Sequence, residues 1–297
     1  MSAKRIVVAG GSGLIGTALV ASLRDRGDEV VVLSRSGGPT SWDPDAGELD
    51  PSLLAGADAV VTLNGVGVGD KRWSDARKAL ILSSRVNPTN LLATTMAGMD
   101  DKPGAFIVGT AVGYYGDTGD TVMTESSPAG DDFLADVVVA WEAAAAPAID
   151  AGIRTAFART GTIVLSTANP AMKQLLPLFK AGLGGPIAGG GHWWSTISLR
   201  DEVRAIEFLI DGDLSGPVNL VGPEPVTQGD FAKALGAELG RPAVVPVPKF
   251  ALDIRLGKEL AQAAGYGSQR VLPEVLTDAG FEFTSPTAED AIREMLG

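Results

Sequence analysis

Apolar and polar positions along the first half of this chain fall into two periodicities that take turns. Ile6-Val7-Val8-Ala9 is an unbroken apolar run, the pattern of a strand covered on both faces. From Leu14 to Leu23 the apolar residues recur at helical spacing instead. The strand pattern returns at Glu29–Leu33, Ala57–Leu63, Ala105–Thr110 and Thr155–Arg159, the last expected to run on through Leu165. Helical stretches are predicted at about Ser74–Met96 and Phe133–Ala148. Such alternation predicts an α/β fold, a Rossmann-type doubly wound parallel sheet over residues 1–165 with helices on both faces. Residues 166–297 should form a smaller carboxy-terminal region closing a substrate cleft, with a helix and a strand near 201–221 rejoining the sheet. The Gly- and Trp-rich stretch Gly182–Ser195 is too irregular for a sheet helix. It predicts loops over the cleft, either a mobile flap or a static cluster.

The junction between the first strand and the first helix carries the strongest chemical signal. It reads Gly10-Gly11-Ser12-Gly13-Leu14-Ile15-Gly16. Two registers fit, one starting at Gly11 and one at Gly10, and the strand ending near Ala9 favours Gly10. Glycine there permits the tight turn, Gly13 lets backbone approach a pyrophosphate, and Gly16 lets the helix pack on the sheet. Backbone around Ser12, Gly13, Leu14 and Ile15, at the positive end of the helix, is then the expected phosphate ligand.

The second strand ends in Ser34-Arg35-Ser36. An NAD site would normally offer an acid here for the ribose 2′-hydroxyl, whereas the guanidinium of Arg35 suits a 2′-phosphate. NADP is therefore the expected cofactor. The third strand ends in Asn64-Gly65, Arg85 on the next helix could reach back to the nucleotide, and Thr110 and Tyr114 stand at the carboxyl end of the fourth strand, where open α/β sheets place their chemistry.

Composition removes other classes. The 297 residues include no cysteine and one histidine, His192, so thiolate and multi-histidine metal sites are excluded and no metal is expected. A formal charge of −12 argues against nucleic acid and anionic membranes as partners. No apolar run reaches the length of a membrane span. A cytoplasmic protein with a small-molecule substrate is the simplest expectation.

The glycine turn, Ser34-Arg35, Ser84-Arg85-Val86, Ala111-Val112-Gly113-Tyr114-Tyr115-Gly116, Trp141-Glu142, Arg159-Thr160-Gly161 and Ser268-Gln269-Arg270-Val271-Leu272-Pro273 together resemble the extended short-chain dehydrogenase/reductase superfamily. More narrowly, the chain resembles its atypical SDR39U1-like, epimerase-like subfamily. The resemblance implies NADP(H) binding, with Ser34 and Arg35 at the 2′-phosphate and Leu63, Asn64, Arg85 and Ile163 along the cofactor. It also implies a Tyr-x-x-x-Lys pair on one helix, and here the chain departs: counting back from Glu142, the two places hold Leu134 and Val138. Thr110 remains at the Ser/Thr position. Two readings stay open, an epimerase/dehydratase-like oxidoreductase whose acid is unconventional, Tyr114 with Thr110, and a catalytically silent NADP(H)-binding sensor.

Overall fold

The computed structural model describes residues 3–297. Its centre is a six-stranded, all-parallel sheet built from β1 (Arg5–Ala9), β2 (Glu29–Leu33), β3 (Ala59–Thr62) and β4 (Ala105–Ala111), then, past a short β5 (Val122–Met123), from β6 (Arg154–Thr160). Beyond β6 come β7 (Ile163–Leu165), β8 (Trp193–Trp194) and β9 (Thr196–Ser198), and then β10 (Gly216–Leu220), which adds the sixth strand beside β6. The spatial order is β2-β1-β3-β4-β6-β10.

Successive residues of each strand enter different cores, as side chains that alternate across a sheet must. Ile6 and Val8 face a cluster with Leu19 and Leu23 of α1 (Leu14–Asp25). Val7 and Ala9 face another cluster with Leu92 and Met96 of α2 (Asp75–Ala97). The second cluster also takes Trp141 from α3 (Phe133–Ala143) and Ala148 from α4 (Ala146–Asp150). The expected single helix from Phe133 breaks between these two, because Pro147 in the first turn of α4 has no N–H to continue the ladder. After α5 (Pro170–Lys180) the chain returns as α6 (Leu199–Asp211), whose Val203, Ile206 and Ile210 cover the α1 side.

One expectation fails here for a local reason, and one pair of alternatives meets its structure. The strand does not run unbroken from Thr155 to Leu165: β7 leaves the sheet and pairs with β9. The switch is made at Gly161, where the carbonyl of Ser195 fills the space a Cβ would need and also accepts the Thr162 amide at 2.8 Å. Gly182–Ser195, which its sequence leaves open as flap or cluster, ends packed against the carboxy-terminal region. Trp193–Trp194 pair antiparallel with β11 (Val226–Thr227), and the Trp194 ring lies 5.3 Å from Phe231 of α7 (Gln228–Glu238) inside a buried cluster. The static cluster is the observed state.

The chain then runs through α8 (Lys249–Leu256) and α9 (Lys258–Ala261) to β12 (Arg270–Val271), which pairs with β5, and ends in α10 (Glu274–Asp278) and α11 (Ala288–Leu296). Among the described residues no helix is long and apolar enough to cross a membrane.

Candidate functional site

The turn after β1 begins at Gly10, which has φ of +83° and whose Cβ would meet the Leu63 carbonyl carbon at 2.7 Å. Glycine is required there by the protein itself. The same holds at Gly16, where a Cβ would run into the Gly10 carbonyl. Gly13 differs. It caps α1 with φ of −75°, and a Cβ on it would meet nothing closer than the Gly10 oxygen at 3.4 Å. The fold does not need glycine at that position, but a ligand approaching the backbone there would. Leu14 and Ile15 form the first turn of α1, which contains no acidic residue to compete with an anion at its positive end.

Around the ends of β2 and β3 the structure gathers several predicted residues. Arg35, Asn64, Gly65 and Ser84 line one narrow cavity together with Pro44, Asp45 and Leu80. Ser34 accepts a bond from the Ser36 amide at 3.1 Å, which holds the turn that carries Arg35. The Thr62 hydroxyl donates to Asn64 Oδ1 at 3.1 Å. Leu63 packs against Gly109 of β4, where a Cβ would lie 2.6 Å from its Cδ2. Arg85 is half-buried behind Gly65; its guanidinium donates to the carbonyls of Ile81 (3.0 Å) and Val66 (3.1 Å) and stacks 5.2 Å from the Trp141 ring. Burial, and then the neighbouring charge of Arg77, lower its pKa to about 10. Ile163 is placed apart from these residues, with its side chain in the cluster around Leu176 and Trp194.

Thr110 and Tyr114 lie together at the end of β4, and they meet a side-chain network that sequence spacing does not show. Glu142 on α3 and Arg159 on β6 form a two-pronged pair, with Nε to Oε1 and Nη2 to Oε2 both 2.8 Å. Thr110 is 4% exposed, and its hydroxyl donates to Glu142 Oε1 at 3.3 Å. Arg159 also donates to the Tyr115 hydroxyl at 3.0 Å, which donates in turn to Asn219 Oδ1 at 2.8 Å. Glu125 accepts the Asn219 amide at 2.9 Å. Burial opposes the charge on Arg159, but the hydrogen bonds and charge of Glu142 outweigh it, so the guanidinium is held protonated. Burial likewise raises the Tyr115 phenol.

The adjacent tyrosines have different jobs. Tyr115 is buried with its hydroxyl fixed at both ends. Tyr114 is half-buried, with the Arg159 guanidinium 3.5 Å from its ring centre and the Tyr115 ring edge-on at 5.3 Å. Among the described residues its hydroxyl makes no hydrogen bond. Its ring is clamped and its hydroxyl is free. Leu134 and Val138 of α3 stand against this turn, at 3.6 Å and 4.0 Å from where a Gly113 Cβ would be. They are in the neighbourhood where the Tyr/Lys pair would stand, and they bring neither proton nor charge.

One signal for the missed network was present in the sequence. Arg159 is a charged residue closing an otherwise apolar run, and a charge buried in a strand needs a partner. Which residue would be that partner depends on tertiary contact.

The sequence model of the NAD dependent epimerase/dehydratase family matches residues 6–179, and one for a domain of unknown function, DUF1731, matches residues 247–295. The epimerase family protein MT2273 of Mycobacterium tuberculosis is 42% identical over 292 residues, covering 97% of this chain and 96% of that protein. Human epimerase family protein SDR39U1 is 34% identical over 298 residues, covering 98% and 99%. A crystal structure of the human protein (isoform 2) with NADPH superposes with a TM-score of 0.89 at 32% identity, covering 98% of each chain.

Proposed function

Since the chain belongs to the NAD-dependent epimerase/dehydratase family, we propose that it is an NADP(H)-dependent oxidoreductase acting on a small molecule, with Tyr114 as its proton-bearing side chain. The observation that carries this reading is the pairing of a phosphate turn left open at Gly13 with a clamped tyrosine whose hydroxyl is unengaged. The residues present fit a nicotinamide dinucleotide. Gly10–Ile15 would hold the pyrophosphate, Ser34 and Arg35 the 2′-phosphate, and Asn64 and Arg85 the ribose side. The human relative's NADPH complex supports this choice of nucleotide. When bound, the nucleotide supplies or accepts a hydride; the rest falls to the protein.

Tyr114 can present its hydroxyl to a substrate oxygen because Arg159 fixes the ring. The Thr110 hydroxyl donates its hydrogen bond to Glu142, so it holds the pair that holds the tyrosine and leaves oxygen lone pairs for a second contact. A silent, nucleotide-sensing role is the second reading. It is favoured by Leu134 and Val138 and by the commitment of the Thr110 hydroxyl to Glu142.

Single-turnover oxidation of bound NADPH against a panel of carbonyl and enone compounds separates the two. The oxidoreductase reading expects at least one compound to be reduced, with Tyr114→Phe slowed by about 10²-fold or more and Thr110→Ala slowed less. Reduction at the native rate by both variants would remove these residues from the site. No reduction of any compound would favour the sensor.

A further inference from the structure

The cofactor's phosphates are accounted for by the α1 turn and Arg35, yet a second set of cations stands on the same edge of the sheet. Residues 71–85 contain five basic side chains, Lys71, Arg72, Arg77, Lys78 and Arg85, and one acid, Asp75. This is the reverse of a chain with 24 basic and 36 acidic residues. The stretch follows the Gly65–Gly69 loop and opens α2, whose cap is Ser74.

Its position is fixed on two sides. The Trp73 ring packs edge-on against Phe133 at 4.9 Å, and Phe133 precedes Leu134, which covers the Tyr114 turn. On the other side, Arg72 Nε donates to the Arg255 carbonyl at 3.1 Å and Lys78 pairs with Glu259. The stretch therefore lies between the candidate active turn and the α8–α9 segment.

Its charges are poorly compensated. The Arg77 side chain is 10% exposed. One nitrogen donates to the Gly67 carbonyl at 2.5 Å, its nearest carboxylate is Asp70 at 3.5 Å, and its Nε is buried with no partner. Arg85, half-buried and close enough to feel its charge, is solvated by carbonyls rather than by a carboxylate. Among the described residues Lys71 has no ion pair. Buried guanidinium groups ordinarily come with an anion that repays their desolvation. Here the protein supplies a single, half-exposed one.

We propose that the substrate of this site is an organic anion, a phosphate or carboxylate ester-sized compound with a flat apolar body, whose charge is held by Arg77, Lys71 and Arg72 and whose body lies on Trp73 and Phe133. The proposal rests on the oxidoreductase reading and narrows it to anionic substrates bound on the sheet side of the cleft. The guanidinium groups of Arg72 and Arg77 supply forked donors for the anion, and the Trp73–Phe133 pair supplies an aromatic surface. The excess positive charge in an otherwise acidic protein draws such a ligand to this rim.

The test uses the full chain saturated with NADP+, titrated with phenyl phosphate, benzoate and the neutral benzyl alcohol, followed by calorimetry and by tryptophan fluorescence. Saturable binding of at least one of the two anions, tenfold or more tighter than benzyl alcohol, is expected. The stronger of the two identifies phosphate or carboxylate as the preferred head. Arg77→Met should weaken that anion at least tenfold and leave NADPH affinity within twofold. Lys71→Met/Arg72→Met, at exposed positions, should weaken it at least threefold if Arg77→Met does not fold. Equal binding of anions and benzyl alcohol would overturn the proposal, as would anion binding unaffected by these variants. A loss of NADPH affinity in Arg77→Met equal to the loss of anion affinity would assign the cluster to the cofactor. Failure of the native chain to bind NADPH at all would instead strike the cofactor reading on which this one stands.

Discussion

Two turns at the carboxyl edge of one sheet are built by different means. The turn after β1 is a backbone object: its residues lie within seven positions, Gly10 and Gly16 are demanded by contacts inside the turn, and a Cβ on Gly13 would meet no closer atom than the Gly10 oxygen at 3.4 Å. The turn after β4 is a side-chain object. Thr110, Tyr114 and Tyr115 take their places from Glu142, Arg159, Asn219 and Glu125, which arrive from α3, β6, β10 and the segment after β5. Backbone sites tolerate change everywhere except at the atoms that clash. Side-chain sites share the cost of any missing member.

The largest effect should come from breaking the second turn at its centre. Arg159→Met leaves Glu142, 13% exposed beside Thr110, without its cation and should cost about 3 kcal/mol of stability. Tyr115→Phe removes a hydroxyl from the same chain of bonds and should cost about 1–3 kcal/mol, since one partner is charged. Urea unfolding of both variants checks the order. A cost below about 1 kcal/mol for Arg159→Met would mean the network is not the frame of this turn.

A second buried acid on the opposite face of the sheet sharpens the contrast through pH. Glu202 of α6 is fully buried; it accepts the Thr160 hydroxyl at 2.7 Å, and its other oxygen has no partner. Burial pushes its pKa up to about 8, from 4.5. The folded state thus holds a proton that the unfolded chain releases near 4.5. The stability tied to that proton is complete below about pH 4.5 and is lost as pH rises to about 8. Glu202→Gln keeps an acceptor without the charge and should flatten the fall in unfolding free energy between pH 5 and 8. Parallel pH profiles for the two proteins would show that Glu202 carries no such proton.

The smallest expected effect belongs to Arg35, on the neighbouring turn after β2, which we propose to hold the 2′-phosphate with Ser34. Arg35→Ala should remove most of an NADPH-over-NADH preference of about tenfold, the scale of a 1.4 kcal/mol charge-assisted contact. Equal titrations of the two nucleotides on the native chain would remove Arg35 from the 2′-phosphate.

This contrast also explains what could be read in advance. The six-stranded sheet is legible because strand and helix periodicities alternate, and the β1 turn because its glycines are spaced locally. The Glu142–Arg159 pair was not legible, since a glutamate on a helix and an arginine in a strand each satisfy many partners until the fold brings them within 2.8 Å. The exit of β7 from the sheet was hidden for a related reason. Thr160 to Leu165 has strand residues throughout, and the break depends on the Ser195 carbonyl arriving against Gly161. For Trp193 and Trp194 composition leaves both a flap and a static cluster open, and only tertiary contact supplies the pairing with β11 and the packing on Phe231 that make the cluster.

Whether Gly13 is glycine for the sake of a nucleotide is tested most directly by one comparison: calorimetric titration of NADPH into the native chain and into Gly13→Val, with the melting temperature of each measured free of nucleotide. We expect native binding, no detectable binding by Gly13→Val, and melting temperatures within about 4 °C, since replacing an N-cap glycine by a β-branched residue should cost about 1 kcal/mol. NADPH binding by Gly13→Val at the native affinity would contradict the assignment of this turn.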